Sequence, residues 1–154
     1  MSTLVAETWV VATLGCSNDP NEVPNCSSTR GELFNTQAST TWNDQKNWPL
    51  MAESNLGFSC CDDAHYNAGD YGYDTLGISS KSNGNVTLDH QVVAAIATKD
   101  FYLGNLGLSP RAVNQNIDQQ SSSFLKSLKD QNKIPSLSYG YTAGAAYSKP
   151  YASC

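Results

Sequence analysis

Short apolar stretches stand between polar segments rich in Ser, Thr, Asn and Gly along this 154-residue chain. Met1–Val11 reads as a strand, a tight apolar turn and a second strand around Trp9. Thr8–Thr13 is dense in β-branched residues and predicts a strand ending at Leu14-Gly15-Cys16. From Ser17 to Cys26 turn formers crowd the chain. Leu33-Phe34-Asn35 leads into the Ser/Thr-rich stretch Thr36–Thr41, which closes on Trp42, and polar residues follow to Trp48. Leu56–Ser59 and Asp70–Ile78 predict the two arms of a hairpin. Ser82-Asn83-Gly84-Asn85 is a strong turn signal between strands. Thr87–Ala97 fits strand or helix by pattern alone, and the neighbouring Asn-Gly turn favours strand. Phe101–Leu108, apolar with Gly104 and Gly107, predicts a buried strand where backbones approach closely. Ser122–Gln131 predicts a helix: Ser121–Ser123 can cap it, and Phe124, Leu125 and Leu128 share one face. Asn132 can end it, and Ile134-Pro135 forbids continuation. Ser136–Tyr141 returns to strand, and Thr142–Cys154 is a small, polar tail expected to be loose. No internal repeat is present. The expected fold class is mostly β, in one domain, with one short helix.

Charge sharpens this picture. Charged residues make up 15% of the chain and the net charge is -5. With no basic run, nucleic acid and anionic membranes are poor partners. No apolar run approaches the roughly 20 residues that span a bilayer. Five cysteines, at Cys16, Cys26, Cys60, Cys61 and Cys154, point outside the cytosol. Two glycosylation sequons, at Asn25-Cys26-Ser27 and Asn85-Val86-Thr87, point the same way. A secreted protein is therefore expected, although no leader precedes the body of the chain, so the true N-terminus is expected to lie elsewhere. A Cys16–Cys26 bridge would close a short polar loop that nothing else holds. An odd number of cysteines leaves one unpaired in any scheme, and the pairing of Cys60, Cys61 and Cys154 stays open.

Several stretches, taken in order, carry a resemblance: Glu7-Thr8-Trp9-Val10-Val11, the Cys16–Cys26 loop, Leu33-Phe34-Asn35 through Trp42, Gly72-Tyr73-Asp74-Thr75-Leu76, Phe101–Leu108, and Phe124-Leu125 through Leu137. Together they resemble the N-terminal lobe of the pepsin-like aspartic proteases, in particular a fungal secreted branch. In that likeness the first is the Trp strand after the catalytic loop, the second a small disulfide loop, and the fourth the strand leaving the flap. Phe101–Leu108 is similar to the family's ψ-motif. The resemblance covers nearly the whole chain and implies a β-rich lobe, incomplete here. For a complete relative it implies peptide hydrolysis by two aspartates, one from each lobe, that share a proton.

The chain departs from that pattern at its chemical centre. Ser2 occupies the position of the first catalytic Asp, with Thr3 and Leu4 following. A serine hydroxyl cannot hold the negative charge that activates water at acid pH, and no His is placed to make it a nucleophile. Phe58 matches the flap tyrosine and lacks its hydroxyl, and a second lobe with its own Asp is expected to be missing. No catalytic residue is then intact, while Phe58 and Trp9 remain candidates for contact with a peptide. Three functions follow: an inactive aspartic-endopeptidase homologue, a non-catalytic peptide-binding module, or a truncated product with no dedicated activity. Trp9 and Trp42 otherwise read as core, Asp74 as a carboxylate bonding backbone within its hairpin, and Lys126, Lys129 and Lys133 as solvated surface. Cys60, Cys61, Asp62, Asp63 and His65 offer zinc or copper ligands, but adjacent cysteines are awkward for one metal. A solvated loop is the simpler expectation, so no metal or cofactor is expected.

Overall fold

The computed structural model describes residues 5–16, 22–50, 68–80, 84–110 and 122–140. Ser2, Thr3 and Leu4, the expected arm Leu56–Ser59 with Phe58, the Cys60, Cys61, Asp62, Asp63 and His65 loop, and the tail ending in Cys154 lie outside the described residues. In chain order the elements are β1 (Trp9–Val11), a 3-10 turn (Thr13–Gly15), α1 (Cys26–Thr29), β2 (Asn43–Pro49), β3 (Ala68–Ser80), β4 (Gly84–Ile96) and α2 (Phe124–Asp130). Sheet predominates, as the mostly β expectation requires.

The sheet runs β1-β4-β3-β2. β3 and β4 form an antiparallel hairpin of 13 residues per arm, paired down to Ser80 opposite Gly84; of the predicted Ser82–Asn85 turn, Gly84 and Asn85 already belong to β4, and Ser82 and Asn83 lie outside the described residues. β1 joins β4 in parallel, Trp9 opposite Ala94. The hairpin expected between Leu56–Ser59 and Asp70–Ile78 has its first arm outside the described residues; among those described, β3 pairs with β4 on one side and, from Ala68 to Tyr73, with β2 on the other. β2, Asn43 to Pro49, reads as polar loop in the sequence because it forms an edge. A bulge between Asp44 and Asn47, an exposed lysine and a terminal proline are the features with which proteins blunt an edge strand.

Side chains alternate across the sheet. Tyr71, Tyr73, Val92, Ala94 and Ile96 pack with Val5, Trp9 and Leu50 into one buried cluster. Each such fully buried apolar side chain contributes roughly 1.5–3 kcal/mol. A second cluster joins Leu88 and Leu108 to Phe124, Leu125 and Leu128 of α2. The α2 signals act as predicted. Ser123 accepts a hydrogen bond from the Lys126 amide, 3.2 Å away. Asn132 adopts φ 56°, and the amides of Asn132 and Lys133 return to Lys129 and Leu128 carbonyls in a Schellman arrangement.

Two further strand expectations are corrected. Phe101–Leu108 is irregular, bridged to Trp9 at Asn105, with Tyr102 and Leu103 facing solvent. Over Ser136–Gly140 no strand forms, because these residues are exposed and find no sheet edge. The Thr8–Thr13 strand is shorter than expected, since Thr13 already turns into the 3-10 segment.

Candidate functional site

Residues Val5 to Trp9 run between β4 and the segment Asn105–Ser109. On one side the Ala94 amide donates to the Thr8 carbonyl at 3.0 Å. On the other, Trp9 and Asn105 exchange backbone hydrogen bonds of 3.0 and 2.8 Å, and the Ser109 amide donates to Val5 at 3.2 Å. The Asn105 side chain donates to the Glu7 carbonyl, and the Gly107 amide to the Thr8 hydroxyl. Gly107 is what lets the two chains cross: a Cβ there would lie 2.1 Å from the Ala6 carbonyl oxygen. The close approach expected of this segment is therefore present without a strand.

Trp9, a predicted ligand contact, is buried at 6% exposure. Its ring lies 5.2 Å from Phe101 and its indole N–H donates to the Leu103 carbonyl at 3.0 Å. The ring is thus packed and its polar atom satisfied by backbone. Phe58, the other predicted contact, and Ser2, Thr3 and Leu4 lie outside the described residues. Glu7 shares the Val5–Trp9 side of the chain, is 1% exposed and accepts a hydrogen bond from the Tyr71 hydroxyl. Sequence reasoning passed over it, though an acid spaced by two from Val5 and from Trp9 was the available signal.

Arg30 was also missed. It is 1% exposed, and its guanidinium donates to four backbone carbonyls: Gly15 at 2.6 Å, Thr98 at 2.6 Å, Phe101 at 3.0 Å and Tyr102 at 2.9 Å. It also sits 5.4 Å over the Tyr102 ring. A planar head with five donors can satisfy four carbonyls from two separate segments where an ammonium could not. The Cys16–Cys26 disulfide is formed as expected, with Cα atoms 5.9 Å apart. Cys26 opens α1 and the Arg30 amide closes it by donating to the Cys26 carbonyl at 2.9 Å. The bridge, α1, Arg30 and the Thr98–Leu103 segment therefore form one continuous support for Trp9.

The remaining predicted residues are surface or scaffold. Asn25 and Asn85 are both exposed, Asn25 at φ 58° before α1 and Asn85 opposite Ser79 in the hairpin. Asp74 is buried and accepts from Ser39, from Thr41 and from the Thr75 amide, the last at 2.7 Å. It ties the Ser/Thr segment onto β3 as well as bonding backbone. Lys126 pairs with Asp130 one turn on, and Lys129 donates to the Pro135 carbonyl at 2.8 Å.

Elsewhere among the described residues the surface opens into cavities. An apolar groove of about 670 Å³ lies between the outer hairpin, at Ile78, and α2 with Ile134 and Tyr139. A cavity of about 560 Å³, lined mostly by polar residues together with Trp42, lies over β2 and β3. Among the described residues no group of three His, Cys, Asp or Glu is placed to hold a metal, and no helix is long and apolar enough to cross a membrane. The chain matches no protein-family model, and no curated protein matches it significantly.

Proposed function

We propose that this chain is a pepsin-like lobe that binds extended peptides without cleaving them. The observation that carries the reading is the crossing of Val5–Trp9 between β4 and Asn105–Ser109, with Gly107 against Ala6. It supports the resemblance by giving the Trp strand and the Gly-rich segment a shared backbone ladder. In such a lobe the residues before this strand form the catalytic loop, and there the chain offers Ser2, Thr3 and Leu4. Water activation at acid pH needs an ionised carboxylate, which a hydroxyl with its far higher pKa does not replace. Phe58 would then serve as an apolar cover for the bound peptide. Secretion fits the disulfide.

The test is direct. The purified chain is incubated with a denatured protein substrate between pH 3 and 6 and with a fluorescent apolar hexapeptide. No cleavage and saturable peptide binding are expected. Pepstatin-sensitive cleavage would refute the inactive assignment, and absence of binding would refute the peptide module.

A second reading has its own observation. Ile78, Leu137 and Tyr139 are 43%, 43% and 51% exposed beside or near the apolar groove. Such a surface suits a folding unit with no activity of its own, and strong binding of an apolar dye together with self-association would favour it.

A further inference from the structure

The polar cavity beside Trp42 has a composition that neither reading uses. Trp42 is half-buried and held on two sides. A Cβ on Gly72 would lie 2.5–2.6 Å from three atoms of its six-membered ring, so the indole lies against the bare glycine of β3. Phe34 meets it edge-on, with centroids 5.6 Å apart. Gly72 therefore admits the ring, and Phe34 keeps it from turning.

Around this indole the β2 bulge gathers polar groups. Asp44 stands opposite Gly72 and Asn47 opposite Asp70. The Asn47 amide donates to Asp70 at 3.0 Å, and the Lys46 backbone amide donates to Asp44 at 3.3 Å. Lys46 itself takes φ 86° within the bulge. Together with Gln37 these residues and Trp42 line the 560 Å³ space, a size typical of small-ligand pockets.

Each ligand class meets this wall differently. An anion would face Asp44 and Asp70, an apolar molecule would strip water from all of the polar groups, and a cation, drawn by two carboxylates against the one Lys46 ammonium, is the rival from which the sugar must be told apart. A neutral ligand rich in hydroxyls can donate to the carboxylates, accept from the ammonium and do both with the amide groups. If it also has an apolar C–H face, that face can rest on the indole, whose ring carries a negative quadrupole. We propose that this cavity is a carbohydrate subsite that seats one ring of a neutral oligosaccharide beside Trp42. Because the indole is already held by Gly72 and Phe34, little side-chain freedom is lost on binding. The proposal is independent of any peptide cleft at Trp9.

The test titrates the full chain with cellohexaose and, separately, with maltohexaose, following tryptophan emission and amide NMR shifts. Saturable shifts with at least one sugar are expected, centred on Gln37, Trp42, Lys46, Asn47 and Asp70. Trp42→Ala should weaken binding about tenfold or more, a loss of roughly 1.4 kcal/mol. Since Trp42 also packs on Gly72, the exposed positions Gln37 and Lys46 provide the check. Gln37→Ala and Lys46→Ala should each weaken binding about threefold, with thermal unfolding unchanged. No shift with either sugar overturns the proposal. So does binding that all three variants leave intact, or a response to spermidine in place of the sugars.

Discussion

The Trp9 end of the sheet and the α2 end bury apolar surface by different means. At the Trp9 end the covering chain is irregular, yet it is tied down group by group: Arg30 answers four carbonyls, Asn105 and Ser109 complete the ladder of Val5–Trp9, and Leu103 takes the indole N–H. At the α2 end a single amphipathic helix lays Phe124, Leu125 and Leu128 on Leu88 and Leu108, and an apolar groove stays open beside it. The difference is one of directionality. Hydrogen bonds to fixed carbonyls tolerate no substitute, whereas apolar contact needs only shape and area. Damage at the first end should be large and specific, and at the second small and graded.

Arg30→Met should give the largest effect, a destabilisation of about 3–5 kcal/mol, because four carbonyls, that of Gly15 buried and the others partly so, lose a donor at once. Urea unfolding measures it, and Arg30→Lys should recover only part, since a single ammonium cannot span Gly15, Thr98, Phe101 and Tyr102. A loss under about 1 kcal/mol for Arg30→Met would erase the contrast between the ends. Gly107→Ala comes next. Its methyl would meet the Ala6 carbonyl at 2.1 Å, so the crossing must open. A loss of about 3 kcal/mol is expected, with a change in tryptophan emission that reports Trp9.

Replacing Cys16 and Cys26 by serine should cost about 2–3 kcal/mol, as the chain-entropy estimate for a loop of this length gives. Its sharper signature is faster hydrogen exchange at the amides of Thr98–Leu103, reached through α1 and Arg30; exchange unchanged there would show that the bridge does not support this segment. At the other end, Ser123→Ala removes the α2 cap and should cost about 1 kcal/mol in thermal unfolding. Ile78→Ser, on the rim of the groove, should stay within about 0.5 kcal/mol. A larger loss would mean that the groove is a packed interior surface.

These two ends were also unequally legible. α2 could be read almost residue by residue, because its cap, its apolar face and its Asn132 stop are all within one short segment. The Cys16–Cys26 pair and the turn signal at the start of β4 were equally local. β2 could not be read: Asn43–Pro49 is polar, and it is a strand only because β3 offers an edge. Nor could Arg30, since a charge is expected at the surface until its partners are known. The groups that answer Arg30 are backbone carbonyls 15 residues before it and 68–72 residues after it, and backbone carries no signature in the sequence.

The sequence alone therefore determined a mostly β chain, a reversal between β3 and β4, the α2 helix with its ends, and one disulfide. Each rests on propensity, capping or turn chemistry that acts over a few residues. Only the tertiary structure decided that the Trp9 indole N–H is met by Leu103, that Phe101–Leu108 crosses Val5–Trp9 without becoming a strand, and that Trp42, read as core, borders a cavity lined by polar residues. Those outcomes depend on which distant backbone groups and which bare glycines come into contact, and that is settled when the sheet assembles.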